Sequence, residues 1–197
     1  ALGQVAHFKS NSTLPPETLI KAINGNLPPD IAITALEPVM PDFHAQLSAK
    51  RKTYRYTILN RVEPSALNRR FCLHIPYKLN VSLMRQEAKA LVGKHDFRSF
   101  MAMDRSPRSK ARQKDSIREV YRADIQKKGP YILFEIEANG FLYKMVRNIA
   151  GTLVELGRGR MKKGSMRKIL NAKDRATAGS TAAAHGLCLI NVSYTKQ

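Results

Sequence analysis

The sequence predicts an α+β fold: a mostly antiparallel mixed sheet with helices packed on one side. Three observations lead there. Runs with strand-like alternation take turns along the chain with runs of helical spacing. Two of the strand-like runs are joined by the tight sequence Lys127-Lys128-Gly129-Pro130, a hairpin signal. The strongest helical run has a single apolar stripe rather than apolar residues all round.

The elements follow in order. Gln4 to Phe8 alternates like a strand, and Pro15-Pro16-Glu17 starts a short helix through Ile23, with proline in its first turn. Asn24-Gly25 ends that helix. Ile31 to Leu36 reads as a strand after a Pro-Pro-Asp turn, and Lys52 to Leu59 as another. Asn60 opens a polar connection. Asn80 is positioned to cap a helix from Val81 to Val92, with Val81, Met84, Ala88 and Leu91 on one stripe and Gly93 as its stop.

Asp104 to Lys114 carries five cations and almost nothing apolar, so it reads as a basic loop, either a solvated tether or an RNA-contacting segment. Ser116–Ile125 and Tyr131–Ala138 form the hairpin. A helix is predicted from Phe141 to about Leu156, with Leu142, Val146, Ile149, Leu153 and Leu156 in register. A basic linker from Arg158 to Lys163 leads to a short helix near Ser165–Asn171. Leu187 to Tyr194 is the last strand. The lobes are expected to divide as 1–40, the remainder of an N-terminal lobe, and 41–197, a C-terminal RNA-binding and catalytic lobe.

Charge is the outlying property. Thirty-four Lys and Arg against fifteen Asp and Glu give +19 over 197 residues, a balance suited to a polyanionic partner. The excess is not uniform. Residues 1–49 hold Lys9 and Lys21 against Glu17, Asp30, Glu37 and Asp42, a net of −2, so the remainder carries +21.

Cys72 and Cys188 have no metal-ligand spacing, and the five histidines do not cluster. No metal site is expected. Lone cysteines fit a reducing, cytoplasmic setting. No apolar run approaches membrane-spanning length, so no membrane partner is expected. The opening has neither a charged leader nor a long apolar segment, and no signal peptide is expected there. The abrupt start on a strand-like run, at a residue other than Met, raises the expectation of a missing upstream segment.

Lys50-Arg51-Lys52-Thr53-Tyr54-Arg55-Tyr56 is the most informative stretch. With period two, Lys50, Lys52, Tyr54 and Tyr56 share one face, and Arg51, Thr53 and Arg55 the other. A core strand would not carry unpaired cations on both faces, so this strand is either a wet edge or faces a polyanion. Tyr54 is either a packing tyrosine or a platform for an unpaired base.

Arg147, about 140° round the helix from Leu142, is either a solvated arginine or a planar fork for a carboxylate or phosphate in a cleft. Glu135 and Glu137 share a strand face and read as solvated. Asp42 and Asp96, each beside a phenylalanine, read as turn or helix caps. None of the familiar nucleophile, P-loop, zinc-protease or deaminase patterns is present.

Several runs together carry a resemblance: GQVAHF at 3–8, LPPDIAI at 27–33, FHAQLSAKRKTYRY at 43–56, HDFRSF at 95–100, FLYKMVRNIAGTLVELGRG at 141–159 and AGSTAAAHGLCL at 178–189. In this order the chain resembles the tRNA pseudouridine synthase A (TruA) family, over essentially its whole length. The resemblance implies a homodimeric isomerase with no cofactor that converts uridine to pseudouridine in the tRNA anticodon arm, flipping the target base into a cleft. It implies that Tyr54 stacks on that base and is placed for proton transfer. Arg147 would pair with a nucleophilic aspartate and Leu187 line the pocket, while Lys50, Lys52 and Arg55 join Tyr54 in binding substrate. It also implies that the aspartate is absent from this chain, because the family carries it in a G-R-T-D-x-G-V-H run immediately before the segment matching Ala1-Leu2-Gly3-Gln4.

Overall fold

The computed structural model describes residues 1–103 and 115–194. The basic stretch Asp104–Lys114 lies outside the described residues. The chain packs as two units, Val5–Ser48 and the rest, Ala1–Gln4 with Ala49–Gln197.

The smaller unit contains one helix, α1 (Pro16–Asn24), which begins on proline as expected and buries none of its residues. The predicted strands at Gln4–Phe8 and Ile31–Leu36 are not strands. Their alternation is present, but alternation makes a strand only when a ladder partner exists. Ile33 instead exchanges both backbone hydrogen bonds with the side chain of Asn24, at 2.7 and 3.0 Å, as an Asn amide readily does.

The larger unit is a six-stranded sheet. Its strands are β1 (Arg51–Asn60), β2 (Leu73–Ile75), β3 (Gly93–Asp96), β4 (Ile117–Lys128), β5 (Tyr131–Ala138) and β6 (Leu187–Ser193). β1 lies at the centre: β5 flanks one edge, followed by β4 and β3, while β6 and β2 share the other edge. All pairs are antiparallel except β1 with β2. β6 covers the first half of β1 and β2 its last three residues.

Three helices complete the unit: α2 (Val81–Ala88), α3 (Met145–Gly157) and α4 (Ser165–Ala172). The core gathers Tyr56 and Ile58 of β1, Ile132, Phe134 and Ile136 of β5 and Val120, Ala123 and Ile125 of β4 against Met84, Ile149, Leu153, Met166 and Ile169 of the helices. α2 is capped by Asn80, whose side chain accepts from the Leu83 N–H at 3.0 Å. It gives way after Ala88 to a 3₁₀ turn, so the helix expected to reach Val92 is shorter. Gly93, at φ +108°, then turns the chain into β3.

α3 starts four residues later than the apolar spacing suggests. Lys144 sits in the left-handed region at φ 57°, which interrupts the helical path between Phe141 and Met145. Eleven of its thirteen residues are buried; Arg147 and Glu155 are the exceptions.

The other sheet face is polar but not simply solvated. Arg51 pairs with Glu137 at 3.2 Å, and Arg55 with Glu135 at 2.7 Å. Arg122 bridges Glu135 and Asp124 at 3.3 and 3.4 Å. Both glutamates are half-buried or more, so the expectation of a solvated glutamate face gives way to a cross-strand ladder of ion pairs.

Candidate active site

β1 places Tyr54 and Tyr56 on the helix-covered face, beside Ile136 and Phe134 of β5 in the strand register. On the other edge, Tyr54 pairs with Leu189 and Tyr56 with Leu187 of β6. Tyr54 is partly exposed. Its ring meets Phe141 edge-to-face, centroids 5.1 Å apart and planes at 89°. That packing fixes one edge of the ring. Burial raises the Tyr54 pKa above its ordinary value, so the hydroxyl is a proton donor at neutral pH. Two residues along, Tyr56 is fully buried, and its hydroxyl donates to the Ala183 carbonyl at 2.7 Å.

Arg147 reaches the same region from α3. Its Nε donates to the Ala182 carbonyl at 2.7 Å, and the Ala182 N–H donates back to the Arg147 carbonyl at 3.1 Å. Arg147 is therefore partly exposed but held at its Nε. With Nε committed, its two terminal amino groups form the fork that can hold an anion. No carboxylate among the described residues forms an ion pair with it.

The chain from Ala178 to Leu187 runs as a strap that joins α3 to β6. Gly179 donates to the Thr152 hydroxyl at 2.9 Å, and the Thr181 hydroxyl contacts Asn148 Oδ1 at 2.6 Å. Asn148 is wholly buried; it also donates to the Phe100 carbonyl at 2.7 Å and accepts from Arg175 at 3.2 Å. The run MVRN thus does two jobs: its arginine faces the strap, and its asparagine ties together three segments. Asn148 and Tyr56 have no local signature for these roles, because their partners are 33 and 127 residues away. Tyr56 was visible only as sharing a face with Tyr54.

The cations divide. Lys52 shares the face of Tyr54, at the end of β1 opposite Ala138. Lys50 is exposed, just before β1, and its N–H donates to the Ser193 carbonyl at 2.8 Å. Arg55 is on the other face, held by Glu135. The structure therefore brings Tyr54, Leu187, Arg147 and Lys52 to one side of the sheet and leaves Arg55 on the other. Asp96 caps a turn, as expected: its carboxylate accepts from the Arg98 N–H at 3.0 Å and the Ser116 hydroxyl at 2.6 Å.

A family model described as tRNA pseudouridine synthase matches residues 88–195. Curated relatives match across almost all of the chain. The tRNA pseudouridine synthase A of Thermoanaerobacter sp. (strain X514) is 46% identical over 194 residues, 98% of this chain and 77% of that protein. Those of Exiguobacterium sp. (strain ATCC BAA-1283 / AT1b) and Bacillus subtilis (strain 168) are each 41% identical, over 100% and 98% of this chain and 76% of each relative.

The chain belongs to the tRNA pseudouridine synthase A family.

In a tRNA pseudouridine synthase the chemistry is an isomerisation, with no net gain or loss of atoms. Tyr54 offers an aromatic edge and a hydroxyl, Arg147 an anion-binding fork and Leu187 an apolar neighbour. Among the described residues no three His, Cys, Asp or Glu side chains group to hold a metal ion. No helix among the described residues is long and apolar enough to cross a membrane.

Proposed function

We propose that this chain supplies the base-binding wall and the arginine of an enzyme that isomerises uridine to pseudouridine in the tRNA anticodon arm. Tyr54 stacks on the flipped base and exchanges a proton with it. Arg147 holds the catalytic aspartate ionised and aimed. Leu187 closes the apolar side, and Lys50 and Lys52 draw in the phosphate backbone near the strand end. In the family's reaction the aspartate attacks the nucleoside, the glycosidic bond breaks, and the base rotates and rejoins through carbon. The enzyme works as a cytoplasmic homodimer, and residues 1–40 are the remainder of its N-terminal lobe.

One observation carries the reading. The N–H of Leu2 donates to the Leu189 carbonyl at 2.8 Å, and Leu189 is the residue paired with Tyr54. In the family the aspartate-bearing run directly precedes the segment that matches Ala1–Gln4. A chain continuing upstream from Ala1 starts about two strand spacings, ~10 Å, from Tyr54.

The test is pseudouridine formation on unmodified tRNA by the chain extended upstream with the family's aspartate segment. Tyr54→Phe and Arg147→Ala should each abolish turnover while tRNA binding persists. Unchanged turnover in either variant would overturn that residue's assignment. A second reading, a non-catalytic RNA-binding module derived from the same family, rests on the net charge of +19 alone. It predicts tight, salt-sensitive tRNA binding and no product.

A further inference from the structure

We propose that Tyr56 is a positioning residue of this active site, acting through the Ala178–Leu187 strap to set the orientation of Arg147. The inference rests on the role given to Arg147 above. Tyr56 itself is fully buried, so it reaches neither base nor backbone of an RNA. Its only outlet is its hydroxyl.

The argument is geometric. Ala183 has φ −59° and ψ 149°, a polyproline II-like backbone, in which three residues make a turn and successive carbonyls point about 120° apart. The Ala182 carbonyl turns toward α3 and takes the Arg147 Nε–H at 2.7 Å. The Ala183 carbonyl turns toward β1 and takes the Tyr56 hydroxyl, also at 2.7 Å. The strap is thus clamped from both sides by two adjacent peptide groups. Arg147 is bracketed at both ends of its own residue, since the Ala182 N–H returns to its carbonyl at 3.1 Å.

If the β1 side of the clamp is released, the strap can rotate about its α3 side and carry the guanidinium with it. The planar fork is directional, so a small rotation misplaces both terminal amino groups together. Gly186 shows how closely this is fitted: a Cβ there would lie 2.8 Å from Tyr56 Cζ. The strap can close over the tyrosine ring only because that position has no side chain.

The experiment uses the upstream-extended enzyme. Tyr56→Phe keeps the buried ring and removes the donor. The expected result is a fall in kcat of about tenfold to a hundredfold, the scale of an ångström-sized misplacement. KM for tRNA and Tm should stay close to wild type, and amide exchange at Ala182 should quicken. An unchanged kcat would overturn the proposal. So would a kcat loss matched by a collapse in Tm.

Should Tyr56→Phe fail to fold, 4-aminophenylalanine at position 56 retains a donor and 4-methylphenylalanine of similar bulk does not. Activity with the first and loss with the second is expected, and equal activity would overturn the idea. The role of Arg147 is judged separately: turnover retained in Arg147→Ala would overturn the assignment of Arg147 and this proposal with it, whereas turnover lost in Arg147→Ala but unchanged in Tyr56→Phe would overturn this proposal alone.

Discussion

A methyl group at Gly151 has nowhere to go, since its Cβ would fall on the Ser180 carbonyl oxygen. Helix α3 and the strap approach each other backbone to backbone at this residue. Gly151→Ala must push the strap outward, and overpacking of this kind costs about 1–3 kcal/mol. A urea titration should show that loss as a lower midpoint with an unchanged slope. Asp96 makes a second prediction. Burial opposes its ionisation, but hydrogen bonds from Ser116 and the Arg98 N–H, with the charges of Arg98 and Lys173, outweigh that and hold its carboxyl below the usual range. A carboxylate with a lowered folded pKa stabilises the fold above the unfolded value, about 4, and loses that contribution as pH falls through the folded value. The stability gap between wild type and Asp96→Asn should therefore be full near pH 7 and shrink below about pH 4. A gap that is constant with pH would remove the ionic part of this account.

Among the elements, α4 shows how a helix can be fixed from outside its own sequence. Glu87 of α2 is 5% exposed and accepts from Gly164 N–H at 2.7 Å and Met166 N–H at 3.0 Å. It supplies the first turn of α4 with the carboxylate that no local residue provides. Glu87→Ala should cost about 1–2 kcal/mol and speed amide exchange at the start of α4 more than elsewhere. Equal protection in the variant would mean the cap is dispensable. This contact also shows what a sequence can and cannot disclose. The β4–β5 hairpin, α1, α4 and the body of β1 announce themselves through proline, glycine and periodicity. β2 spans three residues, too few for any period, and β3 follows Gly93 without an apolar alternation. Gln4–Phe8 has a strand's pattern and no ladder, because a strand is a relation between two segments. At the site, the roles of Tyr54, Arg147 and Leu187 entered through a family pattern, whereas Tyr56, Asn148 and Glu87 act on groups 27 to 127 residues distant. Only the folded chain brings those partners together.

For the molecule as a whole, +19 implies that RNA binding is dominated by release of counterions. Raising salt from 50 to 200 mM should weaken tRNA binding by about 10³-fold if some six phosphates are contacted, and a shallow dependence would argue against a phosphate-led interface. The ladder on the polar sheet face bears on where a nucleic acid lands. Arg51, Arg55 and Arg122 face Glu135, Glu137 and Asp124 there, three charges of each sign, so these six contribute nothing to the excess. The surplus of +19 is carried by the other residues of the chain. A patch whose charges are already satisfied in pairs exerts little net pull on a phosphate backbone, so it makes a poor landing ground for a nucleic acid. Encounters that begin elsewhere are then the ones that last, and pairs formed inside the sheet act as a filter on collisions without ever touching RNA.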